Sequence, residues 1–174
     1  MDLSRDLERI DHQESELIFQ RFDLEIAWQL GLRLRQLATD RRLPVAIDVR
    51  YFGQPLFYSA LPGSVPDNAE WVRRKSNTVA RFYRSSYAVG LTLKQAKTTL
   101  SERYALPITD FAAHGGSFPI HVKGTAVIGA VSVSGLPQRA DHELVVEALC
   151  LELQRDYASF ALPKVEGQAA VTDQ

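Results

Sequence analysis

The run HGGSFPIHVKGTAVIGAVSVS, residues 114–134, decides the fold class. A glycine pair, Gly115 and Gly116, leads into an apolar stretch at 118–122; Lys123 and Gly124 make a turn, and residues 125–134 return. Two apolar runs joined by so short a turn form an antiparallel hairpin. The return run alternates Val127, Gly129, Val131 and Val133 with Ile128 and Ala130, so neither of its faces is polar over most of its length. Such a strand belongs in the middle of a sheet or under cover on both sides.

Downstream, Gly135 and Pro137 interrupt the pattern before a last helix that runs to about residue 160. Leu144, Val145, Ala148 and Leu149 form its stripe, and Asp141 and Glu143 near its start suit the helix dipole. Upstream, Val45, Ile47, Val49 and Tyr51 alternate with polar or small residues as a strand, Gly53 and Gln54 turn the chain, and residues 55–60 return as a first hairpin. Residues 61–67, rich in Pro, Gly and Ser, read as a loop.

Helices flank these hairpins. Asp23 caps a helix over 24–39 whose stripe is Ile26, Ala27, Leu30, Leu34, Leu37 and Ala38. Leu24, Trp28 and Leu32 add a second apolar line, which calls for deep burial or a subunit interface. Residues 3–20 carry an amphipathic lead-in helix. Asp67 and Glu70 have the spacing of a capping box opening a helix with Val72, Ser76, Val79 and Tyr83 inward. Thr99 and Glu102 form a second box, and Pro107 ends the short helix behind it. Residues 86–96 are ambiguous: Tyr87, Val89, Leu91 and Leu93 alternate like a strand.

Hairpins interleaved with helices give an α+β fold, one antiparallel sheet of about five strands with helices packed on it. The length of 174 residues fits one domain. We divide the chain into a lead-in helix at 1–20, the domain at 21–162, and a flexible tail at 163–174. Twenty basic against 21 acidic residues remove the strongly basic field of a generic nucleic-acid binder. The lone Cys150 can form no internal disulfide, which fits a cytoplasmic location, and neither a signal-peptide core nor a membrane span is legible. The near-neutral sum hides Arg73, Arg74, Lys75, Arg81 and Arg84, five cations between Val72 and Ser85 with no acid among them. Its counterweight is an acidic N-terminus with Asp2, Asp6, Glu8, Asp11, Glu14 and Glu16.

The residues from Ala112 to Ile120 and Val127 to Gly135 resemble the glycine-rich signature of the haem-degrading-domain family, which has HbpS-like and GlcG-like members. Asp48 to Arg50, the Leu61, Pro62, Gly63 loop, Asp67 and Asn68, Trp71 to Lys75, Arg81, Ser85, Ser86 and Asp141 to Leu144 extend the similarity toward that family's uncharacterised cytosolic branch. It spans about residues 20–160. The resemblance implies a profilin-like fold, a helix over 86–96, a closed homo-oligomer, and binding of haem or another apolar, carboxylate-bearing ligand, with haem degradation as its extension. The alternative is a non-enzymatic scaffold whose apolar and basic helix faces dock partners.

A haem site needs an apolar slot, an axial ligand and cations for the propionates. His114 is the first candidate for the iron, because glycines beside it leave the ring unshielded; Gly115, Gly116, Ser117 and Phe118 would line the same pocket. The competing reading makes His114 a turn residue and the glycine pair a weak anion nest. His142 is the second candidate, although the first turn of a helix disfavours an imidazolium and suits a neutral hydrogen-bonding role better. Arg73, Arg74 and Lys75 could clamp carboxylates, and Asn77 with Arg73 and Arg81 would edge a polar groove; a solvated face or an ion-pair network explains them as well. His121 reads as a core or interface residue, and Asp48 and Arg50 as a charge pair reaching the basic helix. No zinc, hydrolase or phosphate-loop motif is present.

Overall fold

The computed structural model describes residues 2–164. In chain order these are α1 (Leu3–Glu16), α2 (Leu24–Asp40), β1 (Ala46–Tyr51), β2 (Gln54–Ala60), α3 (Asp67–Phe82), α4 (Ser86–Gln95), α5 (Leu100–Tyr104), β3 (Ser117–His121), β4 (Val127–Ser134) and α6 (Gln138–Glu152), then a 3-10 turn at Tyr157–Ser159. The sheet is antiparallel in the order β2-β1-β4-β3, so the return strand, apolar on both faces over most of its length, does lie inside it. Four strands form rather than about five. The segment after Ser85, ambiguous by its alternation and expected as a helix from the resemblance, does coil into α4, capped by Ser85 Oγ on the Ala88 amide at 3.1 Å. Tyr87, Leu91 and Ala88 pack there with Ile10 of α1 and Leu162, so contacts at helical spacing override the strand-like alternation.

Alternation along the strands sorts the two faces of the sheet. Ile47, Val49, Phe118, Ile120, Val131 and Val133 enter one core with Leu30 and Leu34 of α2 and Val145 and Leu149 of α6. Fully burying each such side chain is worth roughly 1.5–3 kcal/mol, which makes this layer the main source of stability. The opposite face carries Asp48, Ser117 and Ser132 beneath α3, where Ser132 Oγ lies 2.7 Å from Ser117 Oγ and 3.0 Å from Ser76 Oγ. The hydroxyl chain satisfies polar groups that would be costly if buried alone.

Several expected boundaries move for local reasons. Asp67 is the first residue of α3, not its cap; Pro66 precedes it, and the Asp67 carboxylate accepts a hydrogen bond from Trp71 Nε1 at 2.9 Å instead. The second capping box, Thr99 with Glu102, forms in full. Tyr83 does not face inward: it ends α3 in a left-handed conformation, φ 53°, and is exposed. Helix α6 stops at Glu152 instead of near residue 160, with Gln154 at positive φ turning the chain and Asp156 capping the 3-10 turn. The lead-in helix ends at Glu16 so that Phe19 can bridge Val122 beside β3. Of the expected tail, residues 165–174 lie outside the described residues.

Candidate functional site

Helix α3 is the scaffold. Its inward residues Val72 and Val79 are buried, which fixes the helix on the sheet and sends Trp71, Arg74 and Lys75 to the flank facing His114. The segment from Ala105 to Ala113 is tied along this helix. Arg73 Nη2 donates to Thr109 O at 2.7 Å and Arg73 Nη1 to Asp110 Oδ1 at 3.1 Å; Asn77 Nδ2 donates to Asp110 O at 2.8 Å; Thr78 Oγ1 donates to Ala112 O at 3.0 Å. Arg73 and Asn77 therefore fasten a loop, and the expected polar groove with Arg81 does not form. Arg81 is exposed near the far end of the helix.

At the end of that loop, His114 meets Trp71 edge to face, ring centroids 5.1 Å apart, while the Arg74 guanidinium lies 4.2 Å from the centroid of the Trp71 ring. Packing against these groups, and the charges of Lys75 and Arg74, hold the His114 imidazole below its ordinary pKa, so it is neutral at pH 7. Trp71 and His114 stand between two cavities. One, of about 450 Å³, has apolar walls from Leu93, Leu100, Ile108 and Phe111, with Arg74 and Lys94 supplying charge. The other, of about 260 Å³, is the more polar of the two, lined by Asn68, Lys75, Gln138 and Asp141 together with Leu136.

The glycine pair serves neither cavity as an anion nest. A β-carbon on Gly115 would fall 2.0 Å from Gln138 O, and one on Gly116 2.3 Å from Val133 O and 2.8 Å from Lys75 Nζ. Both lack side chains so that the backbone can press against α6 and β4. Ser117 is buried in the hydroxyl chain, and Phe118 points through the sheet into the main core, so neither lines a pocket with His114.

His142 is fully buried and is not brought to either cavity. Its Nε2 lies 2.8 Å from Gln13 Oε1, and the Gln13 amide nitrogen donates to Phe160 O, which leaves the glutamine oxygen as acceptor and the imidazole neutral with its proton on Nε2. Burial lowers its pKa to about 3. That is the neutral hydrogen-bonding role, carried out between Tyr87 and Phe118. His121 is half-buried with Nε2 3.1 Å from Thr125 O. Arg50 turns back on Asp48 of its own strand, at 2.5 and 2.8 Å, instead of reaching α3. Among the described residues no group of three His, Cys, Asp or Glu is arranged to hold a metal ion.

Residues 22–150 match the family described as haem degrading protein, HbpS-like. The chain belongs to this HbpS-like family. A UPF0303 protein of Paraburkholderia phymatum is 60% identical over 164 residues, covering 94% of this chain and 99% of its own. Among solved structures, the Ybr137w protein superposes with a TM-score of 0.76 at 29% identity, over 83% of this chain and 86% of that one. The PduOC–haem complex shares the fold at 16% identity, TM-score 0.65, over 74% and 93% of the two chains.

Of the residues around these two cavities, His114, Arg74 and Lys75 were legible in the sequence as candidate site residues, and Trp71, Lys94, Leu93, Leu100, Ile108 and Phe111 were not. Trp71 had a signal, since a tryptophan three positions before an arginine on one helix face is placed for a cation–π contact. The others come from α4, α5 and the loop, which only the tertiary fold brings together.

Proposed function

We propose that this HbpS-like protein binds haem, or another flat apolar ligand with carboxylates, in the cavity between α3, α4 and the loop before His114. The observation that carries this reading is the combination of an apolar cavity of about 450 Å³ with a neutral imidazole and two cationic side chains on its walls. His114 would face the iron, and Arg74 and Lys94 would meet the carboxylates. Bound haem would supply redox chemistry at its iron; the chain's own part is to exclude water with Leu93, Leu100 and Phe111 and to orient the ligand. Haem degradation is the family-level extension of this binding.

Leu24, Trp28 and Leu32 stay exposed along α2, at 63%, 51% and 38%, and support self-association through that face into a homo-oligomer. Cys150 is buried with its thiol pushed up to about 11, an inert form that is consistent with a reducing cytoplasm.

The test is titration with hemin followed at the Soret band. A saturable shift is expected, altered in position by His114→Ala and weakened by Arg74→Glu. No saturable shift, or one unchanged in both variants, would sink the proposal.

A further inference from the structure

The polar cavity on the other side of Trp71 and His114 is built around a lysine that the haem reading does not use. Lys75 is 3% exposed, yet it lines the cavity. Its Nζ donates to Asp141 Oδ2 at 2.9 Å and to Val133 O at 3.1 Å, and Asp141 Oδ1 in turn accepts the Leu136 amide at 3.0 Å. The ammonium has three donors, and these contacts use two of them. The cavity's other polar side chains are the amides of Asn68 and Gln138, the Ser134 hydroxyl and the His114 imidazole, with Gln138 opening the first turn of the 15-residue helix α6. Helix N-termini favour carboxylates.

We propose that Lys75 captures a small 2-oxo acid as a Schiff base, with the substrate carboxylate held at the first turn of α6. The site needs no haem and lies outside the apolar cavity. Lys75 passes one proton to Asp141 across their hydrogen bond, and the freed nitrogen lone pair attacks the carbonyl carbon. The C–N bond forms, the carbonyl π pair goes to oxygen, and a proton moves from nitrogen to that oxygen to give the carbinolamine. Asp141 then returns its proton to the hydroxyl, which leaves as water while the nitrogen lone pair closes the C=N bond. The product is a protonated imine beside the Asp141 carboxylate, the same charge balance as the starting ion pair. Burial favours the proton shift, since it lowers the Lys75 pKa and raises that of Asp141.

The experiment treats the full chain with pyruvate and cyanoborohydride, then measures intact mass and maps the adduct by peptide digestion. One adduct is expected, of the mass of pyruvic acid less one oxygen, on Lys75. The lysines at 94, 97, 123 and 164 are internal controls for nonspecific alkylation. Gln138→Trp, at an exposed position on the cavity wall, keeps Lys75 and its partners and should cut labelling by an order of magnitude. Lys75→Arg, with its fold checked by circular dichroism, should abolish the adduct. Labelling confined to the other lysines overturns the proposal, and so does labelling of Lys75 that Gln138→Trp leaves unchanged.

Discussion

Lys75 of α3 and Asp141 of α6 form an ion pair, Nζ to Oδ2 2.9 Å, beside the Val133 carbonyl of β4, and both residues are buried. The pair joins helices from opposite faces of the sheet, and the Asp141 carboxylate also holds the Leu136 amide at the entrance to α6. Removing one partner leaves the other charge buried and uncompensated. Lys75→Met or Asp141→Asn should each lower unfolding stability by about 3–5 kcal/mol, and the double variant should lose less than the sum. Urea titrations of the three variants check this; additive losses would contradict a coupled pair.

His142 makes stability depend on pH. Its folded pKa, about 3, lies below the unfolded value near 6.5, so the unfolded chain binds the extra proton first. The contribution is intact above about pH 6.5 and is lost as pH falls toward 3, by up to ~1.4 kcal/mol per pH unit. Urea midpoints at pH 7, 5 and 4 should fall more steeply for the wild type than for His142→Gln. Parallel profiles would mean that other groups control the acid limb.

Gly116 sits at φ +121°, where an added β-carbon would meet Val133 O at 2.3 Å. Backbone strain alone predicts a loss of about 1–3 kcal/mol for Gly116→Ala, and the collision adds to it. Gly124, also at positive φ, has nothing within 4 Å of the place an added β-carbon would take. Gly124→Ala should therefore be the milder of the two in thermal unfolding; equal losses would show that conformation, not the close approach to β4, governs both.

Trp28 is 51% exposed and packs edge to face on Phe57, ring centroids 5.5 Å apart. A charge placed in a self-association interface is costly to desolvate, whereas on a free surface it is close to neutral. Trp28→Glu should shift the proposed homo-oligomer toward single chains in size-exclusion chromatography with light scattering while leaving the circular dichroism spectrum unchanged. An unaltered mass would exclude this face.

The legible part of the fold was the part encoded by local pattern. Asp23 capping α2, the Thr99 and Glu102 box, the two hairpin turns, the alternation of β1 and the two apolar faces of β4 were all available from residues close in sequence. Residues 86–95 were not, because an alternating run with apolar neighbours fits either period until Ile10 and Leu162 are in place to pack on it. The same limit applied to the site. The five cations were visible as charges, but whether each met solvent, a loop or a buried acid depended on distant partners: Asp110 for Arg73, Asp141 for Lys75, and Asp11 with Glu14 for Arg84.

By itself, then, the sequence determined an α+β chain with a central apolar strand, a histidine beside a tight glycine pair, and one basic helix balanced by an acidic start. Only the tertiary structure decided that the glycines serve backbone packing and that His142 is a sealed core residue. It also set Trp71 and His114 between an apolar and a polar cavity. The physical reason is range: caps, turns and strand periods depend on neighbours within a few residues, whereas burial and ion pairing join groups tens of residues apart and exist only once the chain has closed around them.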